Sequence, residues 1–385
     1  MNKEKKVLIL ANTGGFFSFL LSDIDLLMEK GYTVRVAANG KNHKWQDTAD
    51  ALAERSLELI QIDFDGRNPL SRSNLTAYRQ VKQLLQSESF DLIHCHTPVS
   101  GLIARIAARK YRRKGTKVLY TSHGFAFTKH VPWKQRFAFR TIEMLGSMMC
   151  DGIITINHED YASAKKMCCK NVFYIPGVGV NLEKYHNVSI DRAAYRESLG
   201  IEPDKIMVLA VGEICERKNH RVVVEALGRI ADKQRYIFAI CGSGADSDEG
   251  QKIQKLAGEL GVDLRLLGFR HDIPEVMHCS DIGVIPSIRE GLGLAGIQSL
   301  CAQIPTVGSN VQGIRDYIVD GENGFLCEPY DAKAFAEKIQ VLSISELRSK
   351  LAGNCLRYVQ KFDMENSRKC REEIYRMILA WKANH

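Results

Sequence analysis

A chain of 385 residues is long for one compact core and predicts two domains of roughly 150–200 residues each. With 45% hydrophobic and 25% charged residues it has apolar material for two cores, and no run approaches the roughly 20 apolar residues of a membrane-spanning helix. The net charge of +8 is uneven: residues 1–180 hold 26 Lys and Arg against 16 Asp and Glu, so the candidate partners of this basic half are nucleic acid, an anionic membrane surface or a phosphorylated substrate.

Lys3, Lys5 and Lys6 precede the apolar run Val7–Leu10. Asn12-Thr13-Gly14-Gly15 follows without a small-residue cleavage pattern, so the run reads as a first strand and not as a signal peptide. Phe17, Leu20, Leu21, Ile24, Leu27 and Met28 then recur at helical spacing, and Gly31 is placed to end that helix. Further strands are predicted at Thr33–Ala37, Leu59–Ile62, Leu92–Cys95, Val118–Thr121, Ile153–Ile156 and Val172–Ile175. The stretch from Pro176 to about Val188 has linker composition. A second series follows at Met207–Val211, Ile237–Cys241, Leu264–Leu267, Ile282–Pro286 and Thr306–Val307, and Ser343–His385 reads as helical. Short apolar strands with helical crossovers imply parallel sheets covered on both faces. Two such units facing one another would place a ligand cleft between them.

The eleven cysteines stand mostly alone in apolar runs, Cys168-Cys169 are adjacent, and no Cys-x-x-Cys occurs. Reduced, mostly buried thiols in a cytosolic protein fit this pattern.

Chemistry-bearing residues gather where strands end. Ser287 to Gln298 follows a strand and opens a helix near Leu292–Leu294, whose free N–H groups suit an anion. Glu290 lies at the mouth of that loop, and Gln298 is eight residues on, about two turns and roughly the same face. Gly212 ends another strand, lets a ligand approach the backbone, and precedes Arg217 and Lys218, cations that suit a diphosphate. Cys241-Gly242-Ser243-Gly244 is a further glycine-rich turn. Each of these segments, taken alone, also reads as an ordinary loop or solvated charge cluster. His123, beside Gly124, ends a strand in the N-terminal half, where a structural histidine is an equal reading. His94 and His96 share one face of a strand, with no third metal ligand placed nearby in sequence. Asp63-Phe64-Asp65 has the spacing of a metal-dependent transferase but lies in the half without the nucleotide-type loops. No metal site and no cofactor are expected.

Together the segments Pro286 to Leu294, Leu267 to Pro274, Lys218 and its neighbours, and Asp320 to Leu326 resemble family 4 of the retaining glycosyltransferases, across nearly the whole chain. Tyr120 to Phe127, Ile153 to Tyr161 and Tyr174 to Val180 resemble a narrower group, which adds sugars to polyprenyl-diphosphate-linked glycans for capsule, exopolysaccharide or glycoprotein assembly. The resemblance implies an α/β GT-B fold of two Rossmann-like, doubly wound domains: an acceptor domain at 1–180, a nucleotide-sugar domain at 181–360, and a helix at 361–385 returning to the first. It implies that Glu290 binds donor hydroxyls and that the backbone of Gly291, Leu292, Gly293 and Leu294 meets the diphosphate and hexose. Lys218 would neutralise the diphosphate, His123 would sit at the reaction centre, Gly14 and Gly15 would face acceptor and phosphate, and Arg270 would lie near the base. Two positions depart from the family pattern. Gln298 stands where a second Glu usually holds the ribose, and Glu213 stands where Arg is frequent, with Arg217 placed to substitute.

The implied activity is metal-independent transfer of a hexose or N-acetylhexosamine, with retention, from a UDP-type nucleotide sugar to a lipid-linked saccharide. It would take place in the cytoplasm, at the inner face of the membrane. Two stretches point to an anionic membrane surface: Arg105, Arg109, Lys110, Arg112, Arg113, Lys114 and Lys117, and then Lys129 to Arg140 with Trp133, Phe137 and Phe139 among its cations. The alternatives are a sugar-nucleotide epimerase on the same fold, or a non-catalytic partner subunit, which Gln298 and Glu213 would favour. A nicotinamide dehydrogenase is disfavoured by the absence of Gly-x-Gly-x-x-Gly after the first strand, and nucleic acid is not expected as a partner.

Overall fold

The computed structural model describes residues 5–41 and 45–380, so Lys3 and the last five residues of the helical tail lie outside the described residues. The chain forms two compact units, one of residues 1–178 with 365–385 and the other of residues 179–364.

The first unit is built on seven parallel strands: β1 (Lys6–Thr13), β2 (Thr33–Asn39), β3 (Leu59–Gln61), β4 (Leu92–His96), β5 (Lys117–Ser122), β6 (Gly152–Thr155) and β7 (Val172–Tyr174). Their order is β3-β2-β1-β4-β5-β6-β7. The second has six: β8 (Ile206–Val211), β9 (Tyr236–Cys241), β10 (Asp263–Gly268), β11 (Ile282–Ile285), β12 (Thr306–Ser309) and β13 (Gly324–Cys327), in the order β10-β9-β8-β11-β12-β13. Each sheet runs outward in both directions from its first strand. The order therefore reverses beside β1 in one unit and beside β8 in the other, and an open parallel sheet forms its binding crevice at that point.

Strand side chains alternate between faces, and here both faces are buried. Val208, Phe238, Ile240, Val284 and Val307 pack under Val223, Leu227, Phe335 and Ile339, while Met207, Leu209, Ile237 and Ala239 pack against Val276, Met277 and Ile304. That is why these strands read as unbroken apolar runs. In the first unit Leu8, Leu10, Ile93, Cys95 and Val118 pack with Val81, Leu85, Ile103 and Ala107.

The structure departs from the sequence reading in several elements; the stretch read as linker holds the short helix Leu182–His186, capped by the Asn181 side chain. The helix expected from Phe17 begins only at Leu21–Glu29; Gly14–Phe19 is a tighter 3-10 segment, with Gly14 buried under the Trp45 ring. Two glycines are poor α-formers, and a Cβ at Gly14 would lie 2.8 Å from that ring. Strand β13 went unrecognised because it is four residues long and starts on Gly324, where a Cβ would lie 2.1 Å from the Thr306 carbonyl oxygen. The basic aromatic helix is Trp133–Ser147, so Lys129 precedes it in a turn.

All eleven cysteines are free thiols, and eight of them are buried. The helix Met364–Leu379 docks on the first unit. Ser367 donates to the Pro176 carbonyl, Arg371 to the Val178 carbonyl and Ser22, and Arg371 pairs with buried Asp23 at 2.9 Å.

Candidate functional site

In the second unit the ends of β8 and β11 meet at the sheet's reversal. Gly212 leaves β8 with φ +147°, and the Lys218 side chain folds back against it, its Nζ 3.5 Å from where a Cβ would be. Lys218 Nζ donates to Glu290 Oε1 at 2.9 Å, and Arg217 donates to Glu290 Oε2 and to the Arg289 carbonyl. Ile288 N–H donates to the Arg217 carbonyl at 2.9 Å, tying the two loops together. Glu290 thus holds two cations while its side chain is only 11% exposed.

Behind this cluster the helix Leu294–Cys301 starts after Gly293, which has φ +79° and supplies no side-chain cap. Its first N–H groups therefore keep their positive end without a side-chain acceptor. Any Cβ on Gly293 would lie 2.9 Å from Glu290 Cγ. The Tyr317 hydroxyl donates to the Gly293 carbonyl at 3.1 Å, and a Cβ on Gly313 would strike the Gly291 carbonyl oxygen at 2.2 Å. Glycine thus lets the loop fold tightly in front of the helix.

At the end of β9, Gly242 sits under the Gly212 peptide: a Cβ there would be 1.9 Å from the Gly212 carbonyl oxygen. Gly244 (φ +103°) lies against Ile214, whose N–H donates to the Ser243 carbonyl at 2.8 Å. These glycines pack the β8 and β9 loops on each other, a structural need that spacing alone did not reveal.

The predicted residues do not all gather in one cluster. Arg270 is strapped to Asp272 at 2.8 Å and to the Tyr195 hydroxyl at 3.3 Å, at the end of neighbouring β10. The Arg270 guanidinium holds the Asp272 carboxyl down to about 2. Gln298 lies half-buried on the helix one turn beyond Leu294, whereas Glu290 precedes the helix, so the expectation that the two share a helical face is corrected. Glu213 is exposed. Asn219 was not anticipated. With φ +53° it spans to the Pro286 carbonyl at 3.0 Å and the Pro329 carbonyl at 2.6 Å, clamping the cationic loop onto β11.

In the first unit, Gly14, His96 and His123 stand at the ends of β1, β4 and β5. Asn12 accepts from Ser100 N–H at 2.8 Å, and its own N–H donates to Thr97 Oγ1, tying the first loop to the start of the helix Pro98–Arg112. Gly15 lies against the Trp45 Cβ, and Phe16 packs edge-on to His123 with ring centres 4.7 Å apart. His96 Nδ1 and His123 Nε2 are 3.0 Å apart, and the His94 ring packs tilted against His96 with ring centres 4.1 Å apart. The third histidine that chain spacing did not reveal is therefore His123, bonded ring to ring. Among the described residues no group of three or more His, Cys, Asp or Glu is arranged to hold a metal ion. The Asp63 carboxylate, lowered by its Lys41 partner at 2.6 Å, and Asp65, which accepts from Arg67 and Asn68 N–H, are both engaged in local structure.

The basic surface is also corrected. Arg105 is fully buried, pairs with Glu143 at 3.0 Å and lies over the Tyr120 ring, so it is a core residue and not part of the cationic face. Arg109, Lys110, Arg113, Lys114 and Lys117 are exposed, and Arg112 pairs with Asp151 at 3.0 Å. Among the described residues no helix is long and apolar enough to cross a membrane.

The family described as Glycosyl transferases group 1 matches residues 191–357, and the Glycosyl transferase 4-like domain matches residues 19–165. The putative glycosyltransferase EpsD of Bacillus subtilis is 36% identical over 350 residues, covering 88% of this chain and 87% of EpsD. The UDP-Gal:alpha-D-GlcNAc-diphosphoundecaprenol alpha-1,3-galactosyltransferase of Escherichia coli is 28% identical, covering 71% of each chain. Among solved structures, Anabaena HepE in complex with UDP and glucose superposes with a TM-score of 0.80 at 18% identity, over 97% of this chain and 100% of that one. Two doubly wound parallel sheets, a domain match in each half and a relative this similar over most of its length together mean that the chain belongs to the group 1 glycosyltransferases of GT-B fold, with a 4-like N-terminal domain.

Proposed function

We propose that the chain moves a hexose or N-acetylhexosamine from a UDP-sugar onto a lipid-linked saccharide in surface polysaccharide or glycan assembly, with retention and without a metal ion. The observation that carries this is Glu290 bridging Lys218 and Arg217 before an uncapped helix start. A donor diphosphate competes with Glu290 for the two cations. Taking them, it frees the carboxylate for sugar hydroxyls, and charge building on the leaving diphosphate meets fixed positive groups. In this reading Gly212, Gly242, Gly244, Arg270 and Gln298 line the donor side, and His123, Gly14 and Gly15 the reacting sugar and acceptor. The Escherichia coli relative, named for a diphosphoundecaprenol-linked acceptor, supports the choice of acceptor class.

The reading also rests the first unit on the inner face of the cytoplasmic membrane. Trp133 and Phe137 on the Trp133–Ser147 helix are 69% and 70% exposed, and Leu145 and Met148 continue that exposed side. Leu145 and Met148 border a groove of about 620 Å³ that Arg109, Arg112 and Arg113 also line. Apolar side chains beside cations suit an anionic lipid surface.

Thermal stabilisation across a panel of nucleotide sugars, followed by transfer to a polyprenyl-diphosphate-linked saccharide, tests the reaction. UDP-sugars should stabilise, and the product should form with retention in EDTA. No stabilisation and no transfer would leave the partner-subunit reading, and loss in EDTA restored by manganese would end the metal-free one. Flotation with vesicles tests the surface: binding should need anionic lipid and fall with salt. Equal recovery with neutral vesicles, or none with either, would overturn that part.

A further inference from the structure

We propose that His96 is a positioning residue for His123: its Nδ1–H donates to His123 Nε2, so His123 keeps its own proton on Nδ1 and offers it to a hydroxyl of the transferred sugar. This rests on the reading that places His123 beside the donor hexose.

The hydrogen bonds around the pair constrain where protons sit. His94 lies in a continuous chain. Tyr375 OH donates to the Asp23 carboxylate at 3.1 Å, so it accepts from His94 Nδ1–H at 2.8 Å, and His94 Nε2 accepts from the Thr121 hydroxyl at 2.8 Å. His94 thus spends both nitrogens on its neighbours and meets His96 only through a tilted ring contact. His96 is 1% exposed; its Nδ1 meets His123 Nε2, and its Nε2 is sealed with no protein partner. One proton is shared across the 3.0 Å contact, in one of two ways. If His123 donates, His96 must carry its proton on the sealed Nε2, burying an orphaned N–H. If His96 donates, the sealed atom is a lone pair. Orphaned buried donors are the rarer of the two in proteins, which selects His96 as the donor.

His123 then has Nε2 filled and Nδ1 protonated. It is half-buried, and its Nδ1 is not among the buried unpartnered atoms. Burial, with the Arg371 charge adding to it, holds His123 down to about 3, so the ring is neutral near pH 7. The groups facing it are Phe16 and His96, with His94 behind. A neutral ring with a protonated Nδ1 donates a hydrogen bond and does not act as a base through that atom.

The test uses the full chain labelled with ¹⁵N-histidine. Two-bond ¹H–¹⁵N correlations distinguish the tautomers, and the His123 signals are assigned by their loss in His123→Gln. The expected result is a protonated Nδ1 and a bare Nε2 in His123; the reverse tautomer overturns the proposal. Kinetics supply a second arm. His96→Asn keeps an amide N–H near the Nδ1 position, and His96→Leu removes it. Asn should stay within about 5-fold of wild type in kcat/KM, while Leu should lose about 10- to 100-fold, the scale of one lost hydrogen bond in a transition state. Both variants should keep their thermal transition and UDP binding. A fully active His96→Leu beside an inactive His123→Ala would overturn the proposal and leave the reading of His123 standing. A fully active His123→Ala would remove His123 from the reaction and the proposal with it.

Discussion

Acidification from pH 7.5 to 5.5 should destabilise this protein more than an average one, and the cause is its buried histidines. His94, His96 and His220 are each no more than 2% exposed. Burial holds His94 and His220 down to about 3 and pushes His96 well below the usual range. Neighbouring charge adds to burial in each case: His123 and then Arg371 around His94, His94 itself with His123 and Arg371 around His96, and Lys218 beside His220. An unfolded histidine titrates near ~6.5, so between pH 7.5 and 5.5 the unfolded chain takes up protons that the folded one refuses. Stability is therefore complete above ~6.5 and falls as the pH drops towards the folded values, by about 1.4 kcal/mol per histidine over this window. His94, His96 and His123, which is also held down to about 3, put about 4 kcal/mol on the first unit and His220 about a third of that on the second, against roughly 5–15 kcal/mol for a domain. Asp23, whose carboxyl burial pushes up, works in the opposite direction, and the measurement reads the net. Calorimetry at constant ionic strength should show the first unit's transition falling by roughly 8–16 °C and the second's by about a third as much. His220→Gln should flatten only the second. Transitions that stay within about 2 °C over the window, or a pH dependence unchanged in His220→Gln, would refute the reasoning.

Lys218→Ala should lower transfer by about 30- to 1000-fold, the cost of a charge-assisted contact to a leaving group, and near-wild-type turnover would remove Lys218 from the site. Gly242→Ala should destabilise the second unit by more than about 2 kcal/mol, because its Cβ would lie 1.9 Å from the Gly212 carbonyl oxygen. Gly258→Ala, in open space on a helix, should be neutral or stabilising by up to about 1 kcal/mol, and equal melting shifts for the two would contradict the packing argument. If Gln298 faces the ribose, Gln298→Glu should hold or improve UDP-sugar affinity by titration calorimetry, since a carboxylate accepts stronger hydrogen bonds. A large loss would mean the amide N–H₂ is what the site uses.

The alternation of strands and helices was legible in the chain because strands such as Val7–Leu10 and Ile237–Cys241 are apolar on both faces, and a short apolar run between turn residues needs no partner to be read. The ends of those strands were legible too, since Gly212, His123 and the Glu290 loop follow directly on them. What the sequence could not decide is which of these ends meet. Lys218 and Glu290 are 72 residues apart, His96 and His123 are 27 apart, and His94 meets Tyr375 across 281 residues. Those meetings come from strand order, with β8 beside β11 and β4 beside β5, and from a terminal helix docked on the first unit. The same holds for residues whose role inverts on folding. Arg105 reads as one cation in a basic stretch, yet Glu143, from a helix further along the chain, makes it a core residue. Gly14 reads as a loop glycine, and only the fold shows that its missing Cβ also admits the Trp45 ring. Local composition determines where the chain runs straight, coils and turns; charge state, tautomer and close approach are set by neighbours that only tertiary packing supplies.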